Sequence, residues 1–486
     1  MSGTITLPIW LAVALFLLAA WAAIHRLLIP SVRWFLSRRV NLVLEEIGKR
    51  LHLEIRPFSL TKRQVLIDRL LYDPKILETA EAHAKEKGIP RNIVMAEVER
   101  FAKEIVPSFN AYIYFRVGYW LAKKTASILY RVRVGYTDEA GLAAVDPKSS
   151  VVFVMNHRSN MDYILVAYLA ATRTALSYAV GEWARIWPLQ TLIRAMGAYF
   201  IRRDSGNPLY RVVLERYVAM ATEGGVVQAI FPEGGLTRDG ALRPPKLGLL
   251  DYMARAFHPE GTRDIVFIPV GINYDRTFED RSQLISLTRE AGRKSLLFVI
   301  GTALTFFLRN LFLMLRGRWY RFGYACVNFG TPLSMKEYCR RLGVDWRALE
   351  REERFRHVEA LARELMTSVG RVIPVLPVSL VATVFLNHRG DGLSELELKA
   401  EAHRLLASLS SAGARIYIPR KDDDYAVNVG LRMLTLRHLV REEDGLYTAD
   451  PVNIPLLQYY ANSIRHLFKA PPSPVENGPD LPAAIG

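Results

Sequence analysis

The sequence predicts an α/β fold with a mixed sheet flanked by helices. Between residues 151 and 338, short apolar runs typical of buried strands alternate with longer segments of helical character. Several polar motifs directly follow these runs, where open α/β sheets usually place their ligand crevice. The residues before this part predict a small helical N-terminal domain, and the residues after it predict a mostly helical C-terminal region. The candidate strands are 151–155, 197–202, 226–231, 265–270 and 322–329.

The composition narrows the functional classes. The chain has 486 residues, of which 50% are hydrophobic and 23% charged, which fits a globular protein with membrane contact rather than a disordered one. Its net charge of +16 is spread along the chain without a nucleic-acid-binding motif. We therefore attribute this charge to an anionic membrane surface and phosphate-bearing substrates, with nucleic-acid binding as the alternative. The only cysteines, Cys326 and Cys339, indicate neither a disulfide scaffold nor a zinc site, and they favour a reducing compartment.

The N-terminus predicts a membrane anchor within residues 1–28. Residues 5–24 carry no charge, and this length is sufficient to span a bilayer as a helix. A cleaved signal peptide is the alternative, but no basic residue precedes the apolar stretch. Arg26, Arg33 and Arg38 follow it, so the positive-inside rule puts the rest of the chain in the cytoplasm. We expect a single-pass protein of the cytoplasmic (inner) membrane.

The chain divides further by composition. Residues 29–107 are rich in helix formers and broken at Asp73-Pro74 and Gly88-Ile89-Pro90, which predicts the helical N-terminal domain. A second apolar stretch, 295–315, is expected to be an interfacial or re-entrant helix, because a spanning helix would put the next strand across the membrane. The remaining expectations are an aromatic and basic surface segment at 109–136, a catalytic α/β domain at 108–345, a mostly helical region at 346–469 and a disordered tail at 470–486.

The most informative motif is Asn-His-Arg-Ser-Asn-Met-Asp at 156–162, which follows the first candidate strand. Residues five apart do not share a helix face, so His157 and Asp162 meet only if His157 precedes the helix and Asp162 lies in its first turn. Ser159 and Asp162 form a Ser-x-x-Asp capping box, which favours that arrangement. Two interpretations stay open: a general base with its orienting carboxylate, or a loop histidine beside a helix cap.

Three further blocks follow in order: 197–203, 231–238 and 266–271. With the first block, they resemble the glycerol-3-phosphate acyltransferase family, in its membrane-bound bacterial type and its mitochondrial and peroxisomal relatives. The similarity extends from about residue 108 to about residue 468 and includes the segments 244–248 and 459–468. It implies transfer of a fatty acyl group from acyl-CoA or acyl-carrier protein to the first hydroxyl of glycerol 3-phosphate. The product would be lysophosphatidate, the first intermediate of phospholipid synthesis.

Acyl transfer to an alcohol requires a base for the hydroxyl proton. His157 is the candidate base, and Asp162 would orient the imidazole and stabilise the imidazolium. No protein nucleophile is needed, and the Gly-x-Ser-x-Gly elbow of serine hydrolases is absent from the chain. We place Arg158 and Ser159, which lie beside the base, among the substrate-binding residues, although Ser159 is primarily a helix cap.

The second block ends in two arginines, whose planar guanidinium groups suit a phosphate. Solvated Arg202 and Arg203 side chains are the alternative. The family resemblance ties the final arginine of this block to glycerol 3-phosphate, so Arg203 is the predicted phosphate ligand. Phe200 and Ile201 match the neighbouring positions of the block.

The third block contains Glu233, Gly234 and Gly235, where the glycines permit close approach of a substrate. An ordinary glycine-rich turn is the alternative. The resemblance makes these three residues candidates for the site, and Arg238 and Lys246 downstream are candidate phosphate ligands. Relatives usually carry an arginine where this chain has Leu236. The acceptor therefore stays open between glycerol 3-phosphate, dihydroxyacetone phosphate and a lysophosphatidate.

The fourth block contributes Pro269, either as a residue that shapes the acyl-donor site or as a strand-terminating proline. We find no metal-binding motif, Walker loop or dinucleotide fingerprint, and predict no bound cofactor beyond the acyl thioester as co-substrate. Membrane lipids are predicted contacts. A catalytically idle, lipid-binding membrane scaffold is the alternative from another functional class.

Overall fold

The structure, a computed structural model, describes residues 57–170, 174–181, 189–202, 205–288, 322–346, 348–388 and 392–468. The expected anchor at 1–28, the apolar segment 295–315 and the tail 470–486 lie outside these residues. Among the helices that are described, none is long and apolar enough to cross a bilayer.

Helices precede the sheet, and their ends follow from local sequence. Asp73 accepts hydrogen bonds from the amides of Lys75 and Ile76 at the start of the third helix, where Pro74 occupies the first turn. Gly88 ends this helix at φ 63°. The two expected breaks are therefore real helix boundaries. The helices are α1 (Pro57–Leu60), α2 (Arg63–Leu71), α3 (Pro74–Lys87), α4 (Arg91–Ile105), a π-helix (Ile113–Gly118) and α5 (Tyr119–Leu129).

The central sheet is mixed and flanked by helices, as predicted. Its order is β1-β7-β6-β2-β5-β3-β4, with β8 paired to β6. Strand β6 is antiparallel to β7 and β8, and the other neighbours are parallel. The strands are β1 (Arg131–Thr137), β2 (Ser150–Met155), β3 (Ser177–Val180), β4 (Tyr199–Phe200), β5 (Gln228–Ile230), β6 (Ile265–Tyr274), β7 (Tyr324–Phe329) and β8 (Leu333–Ser334).

The strand predictions omit β3 and β8, and they also differ from the structure at β1, β4 and β6. Strand β1 occupies the end of the segment expected on the membrane surface; it is an edge strand with mostly exposed residues, so its sequence lacks the apolar run used as the signal. Strand β4 is two residues long rather than 197–202, because Gly197 adopts φ 87° in the preceding turn. Strand β6 extends to Tyr274 rather than ending at residue 270.

Pro269 lies inside β6, which contradicts the interpretation of a strand-terminating proline. Its carbonyl accepts a hydrogen bond from the amide of Gly330, so its nitrogen also faces the β7–β8 side of the strand. On that side, β6 pairs with β8 at 266–267 and with β7 at 270–274. The missing N–H therefore falls in the gap between two ladders, where it costs no hydrogen bond.

The remaining elements surround this sheet and build a second core. Helix α13 (Arg351–Val372) packs against the sheet through buried residues at helical spacing, and a small antiparallel sheet lies in the C-terminal part. The helices are α6 (Glu139–Ala143), α7 (Met161–Ala170), α8 (Leu189–Ala195), α9 (Pro208–Glu223), α10 (Gly248–Arg255), α11 (Asp280–Thr288), α12 (Met335–Leu342), α13 (Arg351–Val372), α14 (Pro377–Asn387), α15 (Glu395–Ser411), α16 (Asp423–Leu436) and α17 (Ile454–Asn462), and the small strands are β9 (Leu393–Ser394), β10 (Val440–Glu443) and β11 (Leu446–Ala449).

Candidate active site

A cavity of about 310 Å³ lies where the carboxyl ends of the parallel strands β2, β4 and β5 meet. Three of the four sequence blocks contribute to its wall, because the lining residues of each block directly follow one of these strands. The residues of those blocks that line the cavity are His157, Ile201, Arg202, Phe231, Pro232, Gly234 and Gly235; Lys246 lies just downstream, and Tyr163, Tyr210, Arg211 and Tyr252 complete the aromatic and basic lining.

His157 and Asp162 meet in this site. Helix α7 begins at Met161, so His157 precedes the helix and Asp162 lies in its first turn. The His157 Nδ1 atom is 2.9 Å from Asp162 Oδ2, and both side chains are buried. Since an ionised carboxylate can only accept hydrogen bonds, Nδ1 carries the proton and Nε2 keeps a lone pair. The histidine thus has the tautomer that a general base requires.

Asp162 has several donors besides the histidine. Its Oδ2 also accepts from the backbone amides of Arg158 (2.7 Å) and Ser159 (3.0 Å). Its Oδ1 accepts from the Tyr274 hydroxyl at 2.6 Å. Asp162 therefore both caps the start of α7 and orients His157, so the two interpretations of the motif are not exclusive.

The imidazole is fixed on its faces as well as through Nδ1. The Phe231 ring stacks on it at 4.1 Å between centroids and 28° between planes, and Tyr163 approaches it edge-on at 5.4 Å. Behind it, the Asn156 side chain exchanges two hydrogen bonds with the backbone of Ile272, at 2.8 and 2.9 Å. This pair continues the β2–β6 pairing past the last residue of β2 and sets the position of the next residue, His157.

Glu233 holds the loop of the third block by its backbone. One carboxylate oxygen accepts from the amide of His157 (2.8 Å) and the other from the amide of Arg243 (3.1 Å). Burial raises the pKa of this carboxyl to about 7, although the two amide hydrogen bonds oppose the shift. Both oxygens thus have partners within the protein, whereas the family resemblance made Glu233 a candidate for the substrate site.

Gly234 and Lys246 form a close contact at the cavity wall. Gly234 adopts φ 68°, which favours glycine. A Cβ atom there would lie 2.6 Å from Cδ of Lys246. The amide of Lys246 also donates to the carbonyl of Pro232 at 2.7 Å. Glycine at this position therefore lets the lysine stem lie directly over the loop.

Several other predicted residues do not line the cavity. The Arg158 guanidinium donates to the carbonyl of Gly240 and lies over the Tyr459 ring, 5.1 Å from its centroid. Ser159 donates through Oγ to Glu279 at 2.7 Å. These two side chains connect the first block to neighbouring parts of the protein rather than to the cavity.

The remaining predicted residues that the structure describes, Phe200, Arg238 and Pro269, also lie outside the cavity lining. Phe200 is fully buried in the core, with the Arg194 guanidinium over its ring at 5.2 Å, whereas Arg238 is exposed and outside the cavity. Pro269 lies within the sheet. Arg203 lies outside the described residues.

Sequence reasoning missed the lining residues Tyr163, Tyr210, Arg211 and Tyr252, and it missed three further contributors. Tyr274 reaches Asp162 from 112 residues away, and Phe231 was quoted in its block without a role. Arg202 lines the cavity but is held by Glu104, with Nε 2.8 Å from Oε1. A tyrosine in an apolar strand carries no sequence signal for such a contact. Phe231 did carry a sequence signal, because it directly follows the end of a strand.

Two models of known protein families match separate regions of the chain. The family model described as "Acyltransferase" matches residues 137–273, and the model described as "Glycerol-3-phosphate acyltransferase C-terminal region" matches residues 308–476. The first match contains the cavity-lining blocks, and the second begins beyond β6.

Proteins named glycerol-3-phosphate acyltransferase are among the relatives. The chain is 27% identical over 446 residues to that of Xylella fastidiosa (strain M23), covering 89% of this chain and 50% of the relative. It is 27% identical over 424 residues to that of Actinobacillus succinogenes, covering 85% and 50%, and 26% identical over 445 residues to that of Xanthomonas axonopodis pv. citri, covering 89% and 49%. The chain spans about half the length of the curated relatives it matches.

Among solved structures, the crystal structure of the 1-acyl-sn-glycerophosphate (LPA) acyltransferase PlsC from Thermotoga maritima is similar over 52% of this chain and 78% of that one. The identity is 15% and the TM-score 0.30, too low for a comparison of the two sites.

Proposed function

The chain belongs to the glycerol-3-phosphate acyltransferase family, and we propose that it moves a fatty acyl group from an acyl thioester to the first hydroxyl of glycerol 3-phosphate. The donor is acyl-CoA or acyl-carrier protein, and the product is lysophosphatidate. The observation that carries this proposal is the buried His157–Asp162 pair at 2.9 Å, in the wall of a cavity bordered by basic side chains.

The chemistry requires one base and no protein nucleophile. Nε2 of His157 takes the hydroxyl proton while the acceptor oxygen bonds to the thioester carbon. Asp162 stabilises the imidazolium that forms. When the carbon–sulfur bond breaks, the imidazolium returns the proton to the departing thiolate, so that the free thiol leaves. The stacked Phe231 ring keeps the imidazole from rotating between these two steps.

The phosphate of the acceptor would be held at the basic part of the lining. Lys246 is the candidate that the cavity supports, since it lines the wall that His157 also borders. Arg203 follows Arg202, another lining residue, and keeps the phosphate-binding role that the family resemblance implies. Arg238 is exposed and outside the cavity, so we no longer assign it a phosphate contact.

Because relatives usually carry an arginine where this chain has Leu236, an acceptor other than glycerol 3-phosphate is also considered. The Leu236 carbonyl accepts from the Arg243 guanidinium at 3.4 Å, so a cation lies beside the position where relatives usually carry an arginine. Arg243 does not line the cavity. A lysophosphatidate or dihydroxyacetone phosphate acceptor is therefore tested alongside glycerol 3-phosphate.

We propose that the enzyme acts at the cytoplasmic face of the inner membrane. The π-helix and α5 expose four apolar side chains at helical spacing, Val117, Trp120, Leu121 and Ile128. Exposed lysines Lys123 and Lys124 accompany them. A face of this kind suits the bilayer interface, where apolar side chains enter the headgroup region and lysines meet anionic lipids. The apolar run 5–24 would supply the anchor.

The experiment compares membranes carrying the wild type or His157→Ala. Labelled glycerol 3-phosphate, dihydroxyacetone phosphate and lysophosphatidate are supplied separately, each with acyl-CoA or acyl-carrier protein. His157-dependent conversion of labelled glycerol 3-phosphate to lysophosphatidate supports the proposal. His157-dependent transfer only to another acceptor makes that compound the acceptor instead of glycerol 3-phosphate. If the wild type transfers to none of them, or lipid binding proves the only activity and is unchanged in His157→Ala, the scaffold alternative takes its place.

A further inference from the structure

A second groove, of about 1010 Å³, adjoins the catalytic cavity. Its walls come from α3, α9, α10 and α13. Arg211, Gly248 and Tyr252 line both the groove and the cavity. A ligand can therefore extend from the groove past these three residues towards His157.

Two of the three acidic residues that line the groove, Glu215 and Asp251, are paired with basic side chains at its floor, and the third, Glu352, is exposed. Arg255 lies 3.1 Å from Glu215 and 2.6 Å from Asp251, and Lys75 also pairs with Glu215. The Nε atoms of Arg255 and Arg354 are buried without a hydrogen-bond partner. The Arg354 Nε atom lies 3.9 Å from Oδ1 of Asp251, beyond hydrogen-bond distance, so both Nε–H groups remain without a hydrogen-bond acceptor.

The rim formed by α13 is basic and aromatic. Arg351 and Arg356 are exposed, and neither has a carboxylate within ion-pair distance in the part of the chain that the structure describes. Phe355 lies between them in sequence with 49% of its surface exposed. Unpaired guanidinium groups suit phosphates, and an exposed ring suits a planar base.

We propose that this groove binds the nucleotide end of the acyl donor, the phosphorylated adenosine diphosphate of acyl-CoA. The inference rests on the proposed acyltransferase function and names the donor for the same site. Arg351 and Arg356 contact the phosphates, Phe355 packs against the adenine, and the pantetheine arm runs past Tyr252 to bring the thioester to His157. Small ligands occupy concave sites of this size, whereas a carrier protein would rest on a broader convex face.

The test separates the nucleotide from the rest of the donor. Initial rates are measured with acyl-CoA and with acyl-pantetheine, which has the same thioester but no nucleotide, for the wild type and Arg351→Ala/Arg356→Ala. We expect KM for acyl-CoA to rise about tenfold or more. The values of kcat and of KM for acyl-pantetheine and glycerol 3-phosphate should stay unchanged. Arg363→Ala is the matched control: it is exposed on the same helix, pairs with Glu359 and does not line the groove.

A second measurement on the wild type requires no variant to fold. Adenosine 3′,5′-bisphosphate should compete with acyl-CoA but leave transfer from acyl-pantetheine unaffected. Titration calorimetry with the same compound should show binding that the double variant weakens. Equal KM changes for both donors, or no change for either, would overturn the proposal. A wild type that binds the nucleotide yet transfers no acyl group contradicts the proposed function instead.

Discussion

Replacing Asp162 with asparagine tests whether this residue acts in catalysis or only caps a helix. Four donors surround the carboxylate: the amides of Arg158 and Ser159 and Nδ1 of His157 on Oδ2, and the Tyr274 hydroxyl on Oδ1. An asparagine oxygen at the Oδ2 position can keep the first three hydrogen bonds. Its NH₂ group then faces the Tyr274 hydroxyl, which can accept as well as donate. We therefore expect Asp162→Asn to preserve the helix cap and the histidine tautomer.

What this variant loses is the negative charge next to the imidazolium. With Nδ1 and Oδ2 2.9 Å apart, the two charge centres are separated by about 4 Å. At an effective dielectric constant of about 20, their attraction is about 4 kcal/mol. Since about 1.4 kcal/mol corresponds to a tenfold change in rate, kcat should fall about 10³-fold. A reversed tautomer would cost more, about 10⁴-fold in the serine-protease triad.

The assay pairs acyl-transfer kinetics with thermal unfolding. Asp162→Asn should lose activity with a Tm close to that of the wild type, whereas Asp162→Ala should lose both, because the amides of Arg158 and Ser159 are left without an acceptor. A kcat for Asp162→Asn within tenfold of the wild type would refute the catalytic role of the charge. In that case the residue would be only a cap.

Three further predictions concern other parts of the molecule. Tyr274→Phe removes a single hydrogen bond to Asp162, so we expect kcat to fall about tenfold with KM unchanged; an equal change in both would indicate a general loss of structure. Burial raises the pKa of Glu233 and of Asp275 to about 7, so each favours the folded state most below its unfolded pKa and loses that contribution as pH rises towards 7. The free energy of unfolding should therefore fall between about pH 4.5 and 7, and Glu233→Gln should make this fall smaller, with Asp275 responsible for the part that remains. Urea denaturation that gives the same pH dependence for the variant and the wild type would contradict this. Trp120→Ser should weaken flotation with anionic vesicles more than Tyr72→Ser, a control that removes an exposed aromatic ring from α2's C-terminal end, and equal flotation would exclude the π-helix and α5 from membrane contact.

The parts of this fold that could be predicted from the sequence are those where the local pattern and the tertiary structure agree. Strands β2 and β6 could be predicted because β6 is buried on both faces and β2 is buried or half-buried throughout, so that both consist of continuous apolar runs. Strand β1 was not, because an edge strand needs no such run and its alternating Arg and Val residues suit a surface segment equally well. The interior position of Pro269 depends on where β8 ends and β7 begins, which no local pattern encodes.

The same distinction applies to the site. The spacing of His157 and Asp162 carried its own geometric requirement, so the pair could be predicted from seven consecutive residues. The role of Glu233 could not, because the direction of a carboxylate depends on which amides the fold brings to it. Since its oxygens bond to the amides of His157 and Arg243, Glu233 joins the first block to the segment after the third.

That connection changes how a loss of activity in Glu233 variants should be interpreted. A glutamine can satisfy only one of the two amides, so the other is left unpaired, at a cost of about 1–3 kcal/mol where it is the buried amide of His157. Such a loss would displace the backbone at His157 and lower kcat without any contact between Glu233 and the acceptor. A direct contact would instead raise KM for glycerol 3-phosphate. The ratio of these two effects therefore distinguishes a positioning residue from a substrate ligand, and the geometry favours the first.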